Sequence, residues 1–359
     1  MIPEKDLLEL SFYLSSLTYV DHYFERSLEG LLRCLKSLLS LSSFDTELLT
    51  SRLARERLET VTTLNPFICC CSSGDVDIRP FYKSEVCPWR RVLRRRVKPA
   101  GIILRVRHEV IIAFRGTTKW NFKSTLNNLN AFPGRSDRVS GGFSKGGKSI
   151  AFFWGHRGFL RKWKKSVFNL EEILSEIISF VSVKDDASLL LTYTGHSNGG
   201  SVAAITALEN SLLQRSGGET RAVISWGAPA GLYGNAVCLY NKLLGDLTLQ
   251  IVHDSDSIAR LCEAVLRVRR SQGALFIQAD DEDIMDAHDR YIGYIKILNL
   301  LKELSLEKYH RLRSELRITG TLLVKATSVQ PSDEMSLQQK SCQRDDERLS
   351  LLSIQSFDI

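Results

Sequence analysis

The sequence predicts an α/β fold in which a mainly parallel β-sheet is covered by helices on both faces. Three observations predict it. Short, almost unbroken apolar segments recur after residue 100, segments with helical periodicity separate them, and 359 residues with 43% hydrophobic content supply a sizeable core. The counts of 23 glycines and 8 prolines, without a period, exclude collagen-like and low-complexity chains.

Residues 1–62 are expected to form a helical N-terminal extension, because leucines recur there near the helical period. Between Leu7 and Leu39, Gly30 is the only glycine or proline that interrupts them. Its apolar face either packs on the main domain or lies on a membrane, and packing is the favoured interpretation. Residues 63–326 are expected to form the main domain. Residues 327–359 are polar and are expected to be a disordered tail.

Within the main domain, a tight hairpin of two strands is predicted over 101–107 and 109–114, followed by an irregular stretch over 118–155. Later strands are expected to be buried, since their apolar runs are nearly continuous. The predicted strands are 188–194, 222–226, 247–253 and 274–278, and the predicted helices are 159–181, 199–213 and 289–304.

The net charge of +7 is concentrated in two basic runs, WRRVLRRRVK at 89–98 and RGFLRKWKK at 157–165. Each run suits an anionic surface such as phospholipid or nucleic acid, and the alternative is an ordinary solvated face. No apolar run reaches the ~18 to 20 residues of a membrane-spanning helix. Glu4 and Asp6 do not fit a Sec signal peptide. We therefore expect a cytoplasmic protein, with peripheral membrane contact through the basic runs as an option.

The eight cysteines lack the spacing of a zinc site, so free thiols in a reducing compartment are expected. Three of them are contiguous, at 69–71. Two interpretations stay open for this triplet: S-acylation beside the first basic run, or burial as small apolar residues.

The segment Gly195-His196-Ser197-Asn198-Gly199 has the form G-x-S-x-G and joins a predicted buried strand to a predicted helix. A nucleophilic serine is presented on such a turn, and the glycines are needed because side chains two residues before and after the serine would collide with neighbouring backbone. Ser197 is therefore the candidate nucleophile.

A serine hydroxyl needs a base to take its proton and an acid to orient that base, and on this scaffold they follow in the order acid, then histidine. His253, His288 and His310 follow Ser197. His288 is favoured because it follows an acidic loop and precedes a helix. Asp254 and Asp256 both follow the strand predicted over 247–253. Asp256 is preferred as the acid, with Asp254 second, because it lies deeper in the loop and precedes the apolar-basic stretch 258–261.

Five ordered pieces of the chain resemble the class 3 lipases, the fungal triacylglycerol lipase-like branch of the α/β-hydrolases. The resemblance covers roughly residues 100–300. The pieces are FRGT at 114–117, HRGF at 156–159, GHSNGG at 195–200, WGAP at 226–229 with GN at 234–235, and DSIARL at 256–261.

The resemblance implies an α/β-hydrolase fold and a serine carboxylic-ester hydrolase acting on glycerolipids or phospholipids. It implies Ser197 as nucleophile, Asp256 as orienting acid and His288 as general base. The backbone N–H groups of Thr117 and Asn198 would form the oxyanion hole. No metal or organic cofactor is expected. Arg115 is expected to brace the strand ends, and His156 and His196 to be packing or hydrogen-bonding residues.

The sequence departs from the family pattern at three points. Asn198 replaces an apolar residue, Ala259 replaces a proline and suggests a less rigid acid loop, and only 32 residues separate Asp256 from His288. A lid is expected at 120–132. The short interval between Asp256 and His288 and Asn198 beside the serine motivate an alternative, a catalytically inactive hydrolase fold that binds lipid or protein. Nucleic-acid binding through 89–98 has no supporting signature.

Overall fold

A ten-stranded sheet forms the centre of the computed structural model, which describes residues 1–19, 24–39, 68–69, 76–81, 100–117, 133–136, 153–182, 188–213, 218–266, 270–278, 284–325 and 337–338. The sheet has the order β1-β2-β3-β4-β7-β8-β10-β11-β12-β13. Its strands are β1 (Ile68–Cys69), β2 (Val76–Phe81), β3 (Gly101–Val106), β4 (Glu109–Phe114), β7 (Leu189–His196), β8 (Gly218–Trp226), β10 (Thr248–His253), β11 (Ala274–Gln278), β12 (Thr321–Lys325) and β13 (Leu337–Gln338).

The middle of this sheet is parallel, since β4, β7, β8, β10, β11 and β12 pair in the same direction. The pairs at the two ends, β1 to β4 and β12 to β13, are antiparallel. Parallel strands place their carboxyl ends at one edge, where loops of distant sequence meet. This edge is called the carboxyl edge below. A second sheet joins β5 (Pro133–Arg135), β6 (Trp154–His156) and β9 (Leu232–Tyr233) in antiparallel order.

Helices cover both faces of the main sheet, and the sheet separates two core clusters. One cluster packs against the helices α1 (Glu4–Leu17), α2 (Phe24–Leu39), α8 (Ile295–Glu303) and α9 (Leu306–Thr319). The other packs against α3 (Arg157–Ser182), α4 (Asn198–Leu213) and α5 (Asn235–Leu244). Shorter helical segments are α6 (Ser257–Leu266), α7 (Ile284–Ala287), a 3₁₀ turn (Gly245–Leu247) and a π-helix (Arg290–Tyr294). The predicted two-sided α/β sandwich is confirmed.

Helix α1 lies along the sheet and is buried on every side from Leu7 to Leu17. At its start, the amide of Ile2 donates to the buried carboxylate of Glu109, 2.5 Å away, at the beginning of β4. The same carboxylate forms an ion pair with Arg221. Because β4 ends at the carboxyl edge, α1 runs from one edge of the sheet to the other. The packing interpretation of the N-terminal helices is therefore confirmed for the described residues.

Most predicted elements are present with shifted ends. The predicted strand 188–194 extends to His196, and the helix predicted over 289–304 is a π-helix followed by α8. The strands β5 and β6 lie within the stretch expected to be irregular. The first basic run, the expected lid at 120–132 and most of the expected tail lie outside the described residues. In the part of the chain that the structure describes, no helix combines the length and apolarity needed to cross a bilayer.

Candidate active site

Ser197 lies at the sharp turn between β7 and α4, and its backbone has a φ of +57°. A non-glycine residue in this left-handed region costs of the order of 1–3 kcal/mol and persists only where its surroundings hold it. The Ser197 amide donates to the carbonyl of Trp226, 2.8 Å away, and its carbonyl accepts from the amide of Gly200 at 2.9 Å. These two hydrogen bonds fix the strained turn, so the hydroxyl projects over the carboxyl edge.

The glycines of this turn are required by close backbone approach. A β-carbon on Gly195 would overlap the backbone of Gly199, and one on Gly199 would overlap the carbonyl of Phe114 in the neighbouring strand. A β-carbon on Gly200 would come within 2.8 Å of the side chains of Ala228 and Ser225. The steric argument made from the G-x-S-x-G pattern therefore agrees with the packing.

His288 and Asp256 reach Ser197 from the loops that follow β11 and β10. The Ser197 hydroxyl lies 3.0 Å from Nε2 of His288, and Nδ1 of the same ring lies 2.8 Å from Oδ2 of Asp256. An ionised carboxylate can only accept, so Nδ1 carries the proton and Nε2 is left to accept from the serine. The three side chains thus form one directed chain of hydrogen bonds.

Asp256 is completely buried, with 0% exposure. Burial raises the pKa of its carboxyl, but three influences together outweigh burial and place the pKa below its ordinary value of 3.8. These are His288, through its hydrogen bond and through the positive charge that its ring carries when protonated, the hydrogen bond from the Tyr294 hydroxyl at 2.6 Å and that from the Ala259 amide at 2.9 Å. The carboxylate is therefore ionised where it faces the imidazole.

Ala259 contributes a hydrogen bond that the family's proline would lack. Its amide donates to Oδ1 of Asp256, and its carbonyl accepts from the buried guanidinium of Arg270 at 2.8 Å. Arg270 also pairs with Glu263, 2.6 Å away, and donates to the carbonyl of Ala228 at 2.6 Å. A proline at this position has no amide hydrogen and could not donate to Asp256. These contacts therefore do not support the expectation of a less rigid acid loop.

Tyr294 is the residue of this site that the sequence did not reveal. It is fully buried at the end of the π-helix, and its hydroxyl donates to Asp256 and accepts from the amide of His253 at 3.2 Å. Burial and the adjacent carboxylate raise the pKa of Tyr294 well above its ordinary value, so it stays a donor. A β-carbon on Gly227 would lie 2.6 Å from this hydroxyl, which explains the glycine there. The feature that marks this position is the π-helix, which is frequent at functional sites. A π-helix leaves no trace in a hydrophobic pattern, so nothing in the sequence distinguished Tyr294.

Thr117 and Asn198 lie side by side next to the serine. The side-chain amide of Asn198 donates to the Thr117 hydroxyl oxygen at 3.4 Å. Asn198 is the first residue of α4, where backbone N–H groups have no partner inside the helix. Among the described residues, no carbonyl accepts from the backbone N–H of either Asn198 or Thr117.

The other sequence candidates have different surroundings. His253 is buried within β10 and accepts from the amide of Ser255, whereas His310 is an exposed residue inside α9. Asp254 pairs with Arg260 at the surface. His156 stacks on Phe159 with 4.0 Å between ring centres, and burial lowers its pKa to about 4.

Arg115 contacts the N-terminal segment, since it donates to the backbone carbonyl of Tyr19 at 3.1 Å. Its own carbonyl accepts from Lys162 of α3. The brace expected at this position thus joins the end of β4 to two helices. No group of three metal-binding side chains occurs within the described ranges.

A strained serine at a strand-to-helix turn, an acid and a histidine in that chain order, and a mainly parallel sheet between helices are features of the α/β-hydrolase fold. Residues 111–265 match the family described as "Lipase (class 3)". Over this segment the chain is similar to the class 3 lipases.

One curated relative is phospholipase A(1) DAD1, chloroplastic, from Arabidopsis thaliana. It is 31% identical over 173 residues, which cover 45% of this chain and 36% of that protein. The chain thus spans little more than a third of this relative's length.

Solved structures that resemble the chain include the mono- and diacylglycerol lipase from Aspergillus oryzae, with 12% identity, a TM-score of 0.48, and coverage of 79% of this chain and 83% of that one. The native propeptide complex of Rhizomucor miehei lipase has 18% identity, a TM-score of 0.41, and coverage of 74% and 66%.

Replacing Tyr294 with phenylalanine removes one donor from a buried carboxylate. The expected loss of unfolding free energy is about 1.5–3 kcal/mol at neutral pH, the usual magnitude for a hydrogen bond to a charged group. Because the folded-state pKa of Asp256 lies below 3.8, the stabilisation is present above about pH 4 and is lost as the pH falls through the folded-state value. In Tyr294→Phe this acid loss should shift to higher pH.

Urea unfolding as a function of pH measures this effect. Tyr240→Phe is the matched control, because Tyr240 is also fully buried but its hydroxyl contacts the neutral hydroxyl of Thr248 at 2.9 Å. The control should cost about 0.5–1.5 kcal/mol and leave the acid loss in place. Equal acid profiles for the two variants would contradict the role given to Tyr294.

Proposed function

We propose that the protein is a serine carboxylic-ester hydrolase that cleaves acyl esters of glycerolipids through an acyl-enzyme. The observation that carries the proposal is the directed hydrogen-bond chain from the Ser197 hydroxyl through His288 to the ionised Asp256, with its two distances of 3.0 and 2.8 Å. The nucleophile and base of a serine hydrolase are in hydrogen-bond reach of each other in this way.

In the first half of the proposed reaction, Nε2 of His288 takes the proton of Ser197 as its oxygen attacks the ester carbonyl. The backbone N–H groups of Thr117 and Asn198 stabilise the negative oxygen of the tetrahedral intermediate. Each such donor is typically worth ~10²- to 10³-fold in rate. When the intermediate collapses, the alcohol leaves with the proton from His288, and the acyl group stays on Ser197.

In the second half, His288 takes a proton from water as the water attacks the acyl-enzyme, and its return to Ser197 releases the fatty acid. Asp256 holds the imidazole in the required tautomer and stabilises its positive charge in both halves. Every step uses side chains, backbone N–H groups and water, so neither a metal nor an organic cofactor takes part in this scheme.

The glycerolipid substrate class is supported by the family and by the phospholipase A(1) relative. The alternative is an inactive hydrolase fold that binds lipid or protein, and its motives are Asn198 beside the serine and the short interval between Asp256 and His288. That interval contains β11, and the histidine reaches both of its partners across it. The geometry therefore favours catalysis over binding alone.

We also propose that the start of α3 faces an anionic membrane. Arg157 and Arg161 are exposed one helical turn apart, and Lys162 binds the carbonyl of Arg115 at the end of β4. These arginines therefore lie near the carboxyl edge of the sheet, where Ser197 also lies. The first turn of α3 holds no acidic residue, although the positive end of a helix dipole favours one. A cytoplasmic location stays a prediction.

Ser197→Ala should abolish labelling by a fluorophosphonate probe and lower kcat on a short-chain p-nitrophenyl ester by about 10⁴- to 10⁶-fold. Ser255→Ala is the matched control, since Ser255 is an exposed serine next to Asp256 that lies outside the hydrogen-bond chain. It should label like the wild type. A folded wild-type protein that neither labels nor turns over the ester would refute the proposed activity.

Incubation of the wild type and Ser197→Ala with a mixed lipid extract identifies the substrate. Fatty acid with diacylglycerol or monoacylglycerol as co-product indicates a lipase, and fatty acid with lysophospholipid indicates a phospholipase. An enzyme that hydrolyses the short ester but leaves the extract unchanged would contradict the glycerolipid assignment.

Arg161→Glu should weaken binding to vesicles of phosphatidylcholine with phosphatidylserine by roughly tenfold, because each arginine near an anionic surface contributes about 1 kcal/mol and reversal adds repulsion. Arg317→Glu is matched in charge, but Arg317 is exposed near the end of α9, just before β12 begins at the opposite edge. It should bind like the wild type. Vesicle co-sedimentation measures both variants, and equal losses would argue against an oriented membrane face.

A further inference from the structure

Tyr19 brings the N-terminal helix to the carboxyl edge of the sheet. It follows α1 directly and is buried to 4% exposure. Arg115 donates to its carbonyl at 3.1 Å, and the guanidinium carbon of Arg290 lies 3.8 Å from the centre of its ring. Arg290 also donates to the carbonyl of Ser16 at 3.0 Å. Both arginines are close in sequence to site residues, so the end of α1 is fixed to the site itself.

His196 lies between Tyr19 and His288. It precedes Ser197 in the chain and is buried to 5% exposure. Its Nδ1 is 2.7 Å from the Tyr19 hydroxyl, and its Nε2 is 3.0 Å from the backbone carbonyl of His288. Thus the residue beside the nucleophile binds the main chain of the base.

The hydrogen-bond pattern assigns the tautomer of His196. A carbonyl oxygen can only accept, so Nε2 carries the proton and donates to His288. Nδ1 then accepts from the Tyr19 hydroxyl. Each contact supports the other, because the tyrosine proton keeps the imidazole in the tautomer that holds the carbonyl.

We propose that Tyr19 and His196 are positioning residues for His288, so that the N-terminal helix, which lies outside the family-matched segment, completes the site. The His196 ring fixes the peptide group from which the His288 ring extends, and therefore the distances of that ring to Ser197 and Asp256. The proposal rests on the proposed function for its kinetic test only.

The packing around Gly116 is consistent with the contact between Tyr19 and His196. A β-carbon at Gly116 would overlap the Tyr19 hydroxyl and would lie 2.6 Å from the carbonyl of His196. The glycine of the FRGT motif therefore leaves room for the tyrosine to reach the histidine. The packing at this point admits the hydroxyl only because residue 116 has no side chain.

Tyr19→Phe removes the hydroxyl and keeps the ring beneath Arg290. It should lower kcat on the short-chain ester by roughly tenfold with KM unchanged, since displacements of about 1 Å in a reacting group cost up to 10²-fold. Tyr13→Phe is the matched control. Tyr13 lies on the same helix, and its hydroxyl forms no hydrogen bond with a residue in the described ranges. It should retain wild-type kcat.

The His196 variants test the donated hydrogen bond. His196→Leu should lose more activity than Tyr19→Phe, whereas the side-chain amide of His196→Gln can still donate to the His288 carbonyl and should recover most of the loss. Equal kcat values for His196→Gln and His196→Leu at equal thermal stability would overturn the proposal, because a merely structural role would not discriminate between them.

A spectroscopic readout needs no turnover. The Nδ1 proton of His288, shared with Asp256, gives a far-downfield ¹H resonance that is assigned by its loss in His288→Ala. Tyr19→Phe should broaden or shift it, and Tyr13→Phe should leave it unchanged. A sharp, unshifted resonance with wild-type kcat in Tyr19→Phe would refute the positioning role. A broadened resonance in a protein without esterase turnover would uphold it and refute the proposed function instead.

Discussion

The left-handed backbone of Ser197 is the constraint on which the rest of the site depends. The conformation costs free energy, and it is maintained by the hydrogen bond to Trp226 and by glycines that let β7, α4 and the end of β4 approach one another. The same close approach brings Thr117 next to Asn198. The proposed nucleophile and the proposed oxyanion hole are thus consequences of one tight turn.

The buried carboxylate of Asp256 is the second constraint, because an ionised group without partners would not be stable at this depth. Its partners come from three places: the Ala259 amide in the first turn of α6, the ring of His288 and the hydroxyl of Tyr294. Arg270 holds the same loop from the other side. An alanine in place of the family's proline adds a donor here, so the departure compensates for itself.

Helix α1 connects the edge of the sheet at which β4 begins with the carboxyl edge. Buried charges anchor α1 at both ends, Glu109 with Arg221 at its start and Arg115 with Arg290 at its end. Tyr19 then contacts His196, and His196 contacts the carbonyl of His288. The end of the N-terminal helix is far from the G-x-S-x-G segment in the sequence. Two hydrogen bonds, from Tyr19 to His196 and from His196 to His288, nevertheless connect it to the proposed base.

The sequence by itself determined the α/β class, the central strands and the position of Ser197. Periodicity and glycine spacing are local properties, and the buried strands and the strained turn are set locally. Ser197, Asp256 and His288 were chosen from chain order and resemblance, and the structure brings these three side chains together. The assignment of their roles stays a prediction.

Only the tertiary structure decided which residues surround them. Tyr19 and Tyr294 are ordinary aromatic residues of apolar helical stretches, and nothing local distinguishes a tyrosine whose hydroxyl meets a site residue from one that only fills the core. Their partners lie 177 and 38 residues away. Such contacts depend on how α1 and the π-helix pack against the carboxyl edge, which no sequence period records, because packing is fixed by the shape of the whole core.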